Sequence, residues 1–352
     1  MRPIFERSKS DMTVIGDEDR TLLEGIAIDD DAKAPVLAKH APEGSLKEAT
    51  FAVSFYIVTS IVMVLVNKAV LNAVDLPLIF LWLQLVVAVL LLLAFSATGM
   101  VTFQTLSPTK RTAIMPLIVV NVVGLTLNTY CLKYVDASFY QVARALVLPI
   151  TVLFSRLFLK QTVSNGILIS CAVVFTGFLV GTLLEGKEIV ISVIGLSLGI
   201  ASSVSTAAHS IVIKSSYAAM NGNTLDMVYY NNLLSMFMLT PVVMVSGELQ
   251  TVMDIARRAD AQSQFHALAV GGLVTGVFGF LINIAGFFQI KVTSPITHMI
   301  SSAFRGVLQT LLAVAVFGDV LTSARVTSIG IILFGSALYA WVSSKRAAAE
   351  KK

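Results

Sequence analysis

Charge is scarce in this chain. Only 13% of its 352 residues are Asp, Glu, Lys or Arg, about half the share of an ordinary soluble domain. Ten of the 21 acidic residues fall within the first 47 positions, which leaves only 11 for the other 305. Cysteine is nearly absent too: Cys131 and Cys171 are too few for a disulfide scaffold or a multi-thiolate metal site. The four histidines, His40, His209, His266 and His298, have no metal-ligand spacing. A formal net charge of +4 is too small to hold a nucleic acid. No nucleophile–base pair, phosphate loop or metal motif is visible, which leaves an enzyme without machinery and calls for no cofactor.

What is present instead is apolar sequence, 56% of residues with a mean hydropathy of +0.83. It falls into ten segments of spanning length: 50–72, 77–99, 112–132, 134–157, 163–184, 190–213, 225–246, 266–289, 292–317 and 323–343. The expected fold is an all-α integral membrane protein of ten transmembrane helices in a lipid bilayer. Residues 1–47, with the run Asp29-Asp30-Asp31, read as a solvated disordered tail. They lack a signal peptide's apolar core and cleavage pattern, so the first span is expected to act as an uncleaved signal anchor. The transporter domain is placed at 48–345 and a short C-terminal tail at 346–352.

An even number of spans puts both termini on one side. Seventeen Lys/Arg fall on the tail side against five (Lys133, Lys187, Arg257, Arg258 and Arg325) opposite, so both termini are expected in the cytosol. The chain also divides into five-span halves, about 48–187 and 188–345, that place Arg144 over Arg305. An odd number per half makes the second inverted, as in inverted-repeat transporters. The pairs Gly177/Gly181, Gly195/Gly199 and Gly272/Gly276 permit close helix contact, and Pro116, Pro149, Pro241 and Pro295 lie in segments that could bend. Each of these features also occurs in ordinary bundles.

Arg144 and Arg305 are the two basic residues near mid-span; Lys68 is nearer an end, where snorkelling to the interface is the default. Asp136 and Asp226 lie at segment starts, so no carboxylate is in place to offset the arginines. Each arginine costs about 2.5–3.5 kcal/mol at bilayer depth on insertion scales. An anionic ligand that brings the missing charge is the economical answer; carbonyls at helix breaks, or water, are the alternative. His298, Ser302, Arg305 and Gln309 recur at one face of a helix, and Tyr140, Arg144, Thr151 and Ser155 form a second polar stripe. Polar stripes in lipid must face a cavity or another helix. Tyr229-Tyr230-Asn231-Asn232 adds two amides able to hydrogen-bond a base edge and aromatic rings able to stack on one; interhelical bonding would account for them equally. Asn67, Asn128, Lys214, His209 and Asn283 are lesser candidates.

Several short stretches resemble a known family. Asn67-Lys68, Leu132-Lys133-Tyr134-Val135 with Phe139-Tyr140, Tyr230-Asn231-Asn232, Gly247-Glu248-Leu249-Gln250 and Ser294-Pro295-Ile296-Thr297-His298 are similar, in order and spacing, to nucleotide-sugar transporters of the drug/metabolite transporter superfamily, and within it to the Golgi GDP-fucose transporters. The resemblance covers about residues 50–345. It implies that Tyr229, Tyr230, Asn231 and Asn232, matching a Phe-Tyr-Asn-Asn motif with Tyr229 for Phe, contact guanine. It also implies that Arg305, where the family has a lysine, reaches the phosphates or sugar. Ser301-Ser302-Ala303-Phe304 departs from the Gly-Ala-Leu-Asn of GDP-mannose carriers, which disfavours that sugar. The implied function is antiport of a GDP-sugar, GDP-fucose foremost, into the Golgi lumen against GMP, with a homodimer compatible with the sequence. A carrier of GDP-mannose, a UDP-sugar or a triose phosphate, or a non-transporting receptor or scaffold, stays open.

Overall fold

A computed structural model describes residues 46–349 apart from 100, 159–161, 185–192, 220–223 and 294. The acidic tail, apart from its last two positions, and the loop lysines Lys160 and Lys187 lie outside the described residues. Twelve helices occupy the described chain: α1 (Leu46–Ala73), α2 (Pro77–Ala97), α3 (Pro108–Tyr134), α4 (Ala137–Arg144), α5 (Val147–Phe158), α6 (Asn165–Leu183), α7 (Val193–Ala219), α8 (Thr224–Val245), α9 (Glu248–Arg257), α10 (Gln262–Val292), α11 (Pro295–Phe317) and α12 (Ser323–Ala349). Among the described residues, nine helical stretches are long and apolar enough to cross a membrane, with Ala137–Phe158 taken as one, and Phe304–Phe317 is a shorter apolar helix.

Local chemistry sets many of the boundaries. Ser107 and Ser164 accept from the Lys110 and Ile167 N–H as N-caps of α3 and α6, satisfying donors that the first turn leaves orphaned. The fourth segment is broken: Pro149 has no N–H to donate to Ala145, and its ring crowds that carbonyl. The backbone tightens there, with Ala145 N bonded to Val142 O and Leu146 N to Ala143 O. The expected stripe of Tyr140, Arg144, Thr151 and Ser155 is therefore split, with Arg144 the last residue of α4. Pro116 and Pro241 lie inside intact helices, whereas Pro295 begins α11 rather than bending it.

The helices pack in a few close pairs. α12 lies along α6, α7 along α3, α10 along both α1 and α2, and α2 along α8. Small residues allow this. A Cβ on Gly177 would stand 2.7 Å from Ile332 Cγ1 and 3.0 Å from Ile332 N, and one on Gly181 would meet Ser328; Ser328 Oγ donates to Gly177 O at 2.7 Å. The other two glycine pairs meet α3 and α4 (Gly195, Gly199) and α2 (Gly272, Gly276) in the same way.

One end of the bundle is tied by side chains from remote loops. Gly247, at φ 79°, turns the chain from α8 into α9 in the left-handed region that glycine tolerates. This brings the Glu248 carboxylate to the start of α2, where it accepts from Leu78 N at 3.3 Å and Ile79 N at 2.8 Å. Burial pushes the Glu248 carboxyl up, against the opposing pull of those two N–H groups. Lys133, at the end of α3, pairs with Asp75 in the α1–α2 turn. Replacing Glu248 with Ala should cost about 1–3 kcal/mol by orphaning the two α2 donors. A carbonyl acceptor in Glu248→Gln should recover most of that, and thermal melting in detergent of the two variants against wild type checks the order.

Candidate functional site

Both mid-span arginines lie within the bundle, each in its own cluster of polar side chains. Arg144 Nη1 donates to Tyr140 OH at 2.9 Å, with its guanidinium 5.5 Å from that ring's centre. Tyr140 OH donates to Asn128 Oδ1 at 3.1 Å, and Ser202 Oγ donates to the same oxygen. Arg305 Nη1 donates to Gln309 Oε1 at 3.4 Å, and its guanidinium lies near the Tyr56 hydroxyl. Tyr56 OH is 2.9 Å from Ser302 Oγ. One cluster thus joins α3, α4 and α7, and the other joins α1 and α11.

The charge on Arg144 acts unfavourably on Arg305. Among the described residues the ion pairs are Lys133–Asp75 and Arg325–Asp136, so neither interior arginine meets a carboxylate. Arg305 Nε and the neighbouring Gln141 Oε1 are buried without hydrogen-bond partners. Gln141 lies against Gly306, where an added Cβ would stand 2.3 Å from its Nε2. Two cations that act on each other, with hydroxyls and an unfilled donor and acceptor beside them, can hold an anion that also presents a hydroxyl donor.

Tyr229 to Asn232 sit in the first third of α8. Tyr229 stacks on Phe103 with ring centres 4.2 Å apart, and Tyr230 OH donates to Gln104 O. Both rings are thereby held by the segment before α3. Asn232 Nδ2 donates to its own helix at Val228 O, while Asn231 Oδ1 is buried without a partner. Asn121 Nδ2 on α3 donates to Ser235 Oγ at 3.0 Å, which turns the Asn231–Ser235 face of α8 toward α3. Asn121 lies seven residues before Asn128 on the same face of α3, about 10 Å along the axis at 1.5 Å per residue. The interior accordingly has two polar layers: the arginine layer, and an amide layer that begins at Asn121 roughly 10 Å away at that helical rise and extends one turn further to Asn231.

Other sequence candidates fall elsewhere. Lys68 does not snorkel: it is buried, and Nζ donates to Leu132 O at 3.0 Å and Val135 O at 2.7 Å. The last carbonyls of α3 have no helical partner, and a cation suits that negative dipole end. Asn67 Oδ1 accepts from Gln84 Nε2 on α2, and Asn283 Nδ2 bonds its own helix at Gly279 O. Lys214 lies on α7 and His298 on α11, but both side chains fall outside the described residues.

The sequence reading missed Tyr56 and Gln141, because a lone tyrosine or glutamine in an apolar helix carries no pattern. It also counted Arg325, at the start of the last span, only among the basic residues of the far side. Arg325 is in fact fully buried, donating to Ser138 Oγ at 2.6 Å and Val320 O at 3.0 Å, with Asp136 at 3.6 Å. Ser138 N donates to Asp319 Oδ2 at 3.0 Å and Gln309 Nε2 to Ala137 O at 3.4 Å. These contacts fasten the start of α4 to α11, α12 and their junction. Their signal was weak: Asp136 and Arg325 stand far apart in the chain at segment ends.

Comparison with known proteins gives a match to the Triose-phosphate Transporter family over residues 46–340. An uncharacterized transporter of Schizosaccharomyces pombe is 36% identical over 321 residues, 91% of this chain and 81% of that protein. GDP-fucose transporter 1 of Mus musculus is 35% identical over 301 residues, 82% of each chain. The Drosophila melanogaster protein named GDP-fucose transporter, Golgi, is 31% identical over 301 residues, 82% of this chain and 88% of its own.

If the arginine pair is a strain on the empty protein, Arg305→Met should raise the melting temperature without ligand, by an amount worth up to about 3 kcal/mol. The same variant should lose stabilisation by anionic ligands. Scanning calorimetry with and without a nucleotide checks both; a lower melting temperature for the empty variant contradicts the strain.

Proposed function

We propose, from the premise that this chain belongs to the triose-phosphate transporter family, that it is a nucleotide-sugar antiporter carrying GDP-fucose into the Golgi lumen in exchange for GMP. The observation that carries this reading is the pair of polar layers. Phosphates at Arg144 and Arg305 and a base at Asn231, one turn beyond the Asn121 level, would be separated by roughly 10–16 Å measured along α3 from Asn128, a span that an extended nucleoside diphosphate can bridge. A triose phosphate would occupy the arginine layer and leave the buried Asn231 carbonyl oxygen unfilled. Relatives named as GDP-fucose transporters, at 30–35% identity over most of the chain, and a relative named for the Golgi support the sugar and the compartment.

In this reading the chain has ten spans, with α4 and α5 forming one and α11 the tenth, arranged as two inverted repeats of five. Exchanging the halves maps the α1–α10 pair onto α7–α3, and both pairs are closely packed. Basic residues concentrate on the side of the termini, which puts that side in the cytosol. The ties among Arg325, Asp136, Ser138, Asp319, Gln309 and Ala137 then lie at the lumenal end and hold it closed, so the amide layer is the one nearer the cytosol. Transport proceeds by rocking of the halves around the site. Arg305 and Arg144 bind the phosphates, and Asn231 selects the base while Tyr229 and Tyr230 stay anchored at the cytosolic rim. An empty site leaves two like charges unneutralised, so the loaded carrier reorients faster than the empty one and exchange dominates.

Proteoliposomes give the test: labelled GDP-fucose should enter vesicles preloaded with GMP much faster than empty ones, and equal rates contradict coupled exchange. Displacement by triose phosphate but not by GMP would favour the simpler phosphate carrier. Asn231→Ala should weaken GMP about tenfold, the loss of one good hydrogen bond, while weakening inorganic phosphate little.

A further inference from the structure

His209 holds the second unfilled polar atom of the amide layer. Its Nε2 is buried without a partner, as is Asn231 Oδ1, and the fold sets the two at one depth. On α7, Ser202, Thr206 and His209 recur at i, i+4 and i+7, one helical face. Ser202 on that face bonds Asn128 in the Arg144 cluster, so His209 looks toward the same interior two turns further on. The register is pinned on both sides of α3: Ser205 Oγ donates to Val120 O, and Asn121 bonds Ser235. His209 lies one turn past Ser205, and Asn231 one turn before Ser235. Because α7 runs antiparallel to α3 and α8 parallel to it, both displacements go the same way, toward the amide-layer end.

The two atoms are complementary in chemistry. The amide oxygen only accepts, whereas a neutral imidazole places its proton on whichever nitrogen finds an acceptor. A 6-oxopurine edge presents an adjacent carbonyl and N1–H, one for each. Adenine offers an amino group and a bare nitrogen in the reverse order, so its ring nitrogen would oppose the Asn231 oxygen with no proton between them. Burying an imidazole nitrogen with nothing to bond is unfavourable, and a bound base relieves it.

We propose that His209 is a specificity-determining residue that donates to the 6-oxo group of a purine nucleotide while Asn231 accepts from N1–H. The proposal rests on the nucleotide reading of the interior and adds to it a residue on α7 and the base edge that this residue reads. The experiment measures the affinities of the full-length purified protein for GMP, IMP and AMP. IMP keeps the 6-oxo and N1–H groups and lacks only the 2-amino group. Wild type should bind GMP and IMP at least tenfold more tightly than AMP. His209→Leu should lose about tenfold for GMP and IMP and nothing for AMP, with His209→Gln, which retains a donor, restoring most of the loss. Equal IMP and AMP affinities in wild type overturn the proposal whether or not the variants fold, as does a His209→Leu protein that weakens all three alike or none. Binding of triose phosphate with no nucleotide bound at all would overturn the parent reading as well, so the two failures are distinguishable.

Discussion

Two guanidinium groups lie within the helical bundle, close enough to repel each other and paired with no carboxylate, and the polar side chains around them serve to hold them there. Arg144 is supplied by a helix that Pro149 breaks one turn later, and Arg305 by a continuous helix. Hydroxyls and amides rather than acids surround both: Tyr140, Asn128 and Ser202 on one side, Tyr56, Ser302 and Gln309 on the other. Neutral dipoles orient a cation but leave its net charge in place. The interior therefore stays biased toward an anion, which is what a carrier needs if its loaded and empty forms are to move at different rates.

The same chain shows how cations are treated when no ligand is wanted. Lys68 is satisfied by the terminal carbonyls of α3, and Arg325 by Ser138, the Val320 carbonyl and Asp136. Both are buried as deeply as the interior arginines or more so, and both are answered within the fold. That contrast, more than depth alone, sets Arg144 and Arg305 apart as the candidates for binding. It also puts the structural set at one end of the bundle, where α4 meets the α11–α12 junction.

The apolar runs, their junctions and the isolated arginines were legible in the sequence because lipid leaves few choices: a spanning segment must satisfy its own backbone, and an unpaired cation within it stands out. Pairings between distant residues were not legible. Ser302 was found by its helical spacing to Arg305, but its partner Tyr56 is 246 residues away in an otherwise apolar helix. Glu248 appeared only as part of a short motif, and its work in capping α2 depends on a turn at Gly247. Lys68 was misjudged because snorkelling is the default for a lysine near a span end, and nothing local reveals that the end of α3 lies beside it. Pro149 was noted, yet whether a proline bends, breaks or merely decorates a helix depends on neighbours; Pro116 and Pro241 sit in unbroken helices.

The central claim is that phosphate charge is what the interior lacks. Calorimetric titration of the purified protein with GMP and with guanosine isolates that charge, since the two share base and ribose. The account predicts that GMP binds at least a hundredfold more tightly and that Arg305→Met removes most of the difference. Equal affinities for GMP and guanosine in the wild-type protein would contradict it.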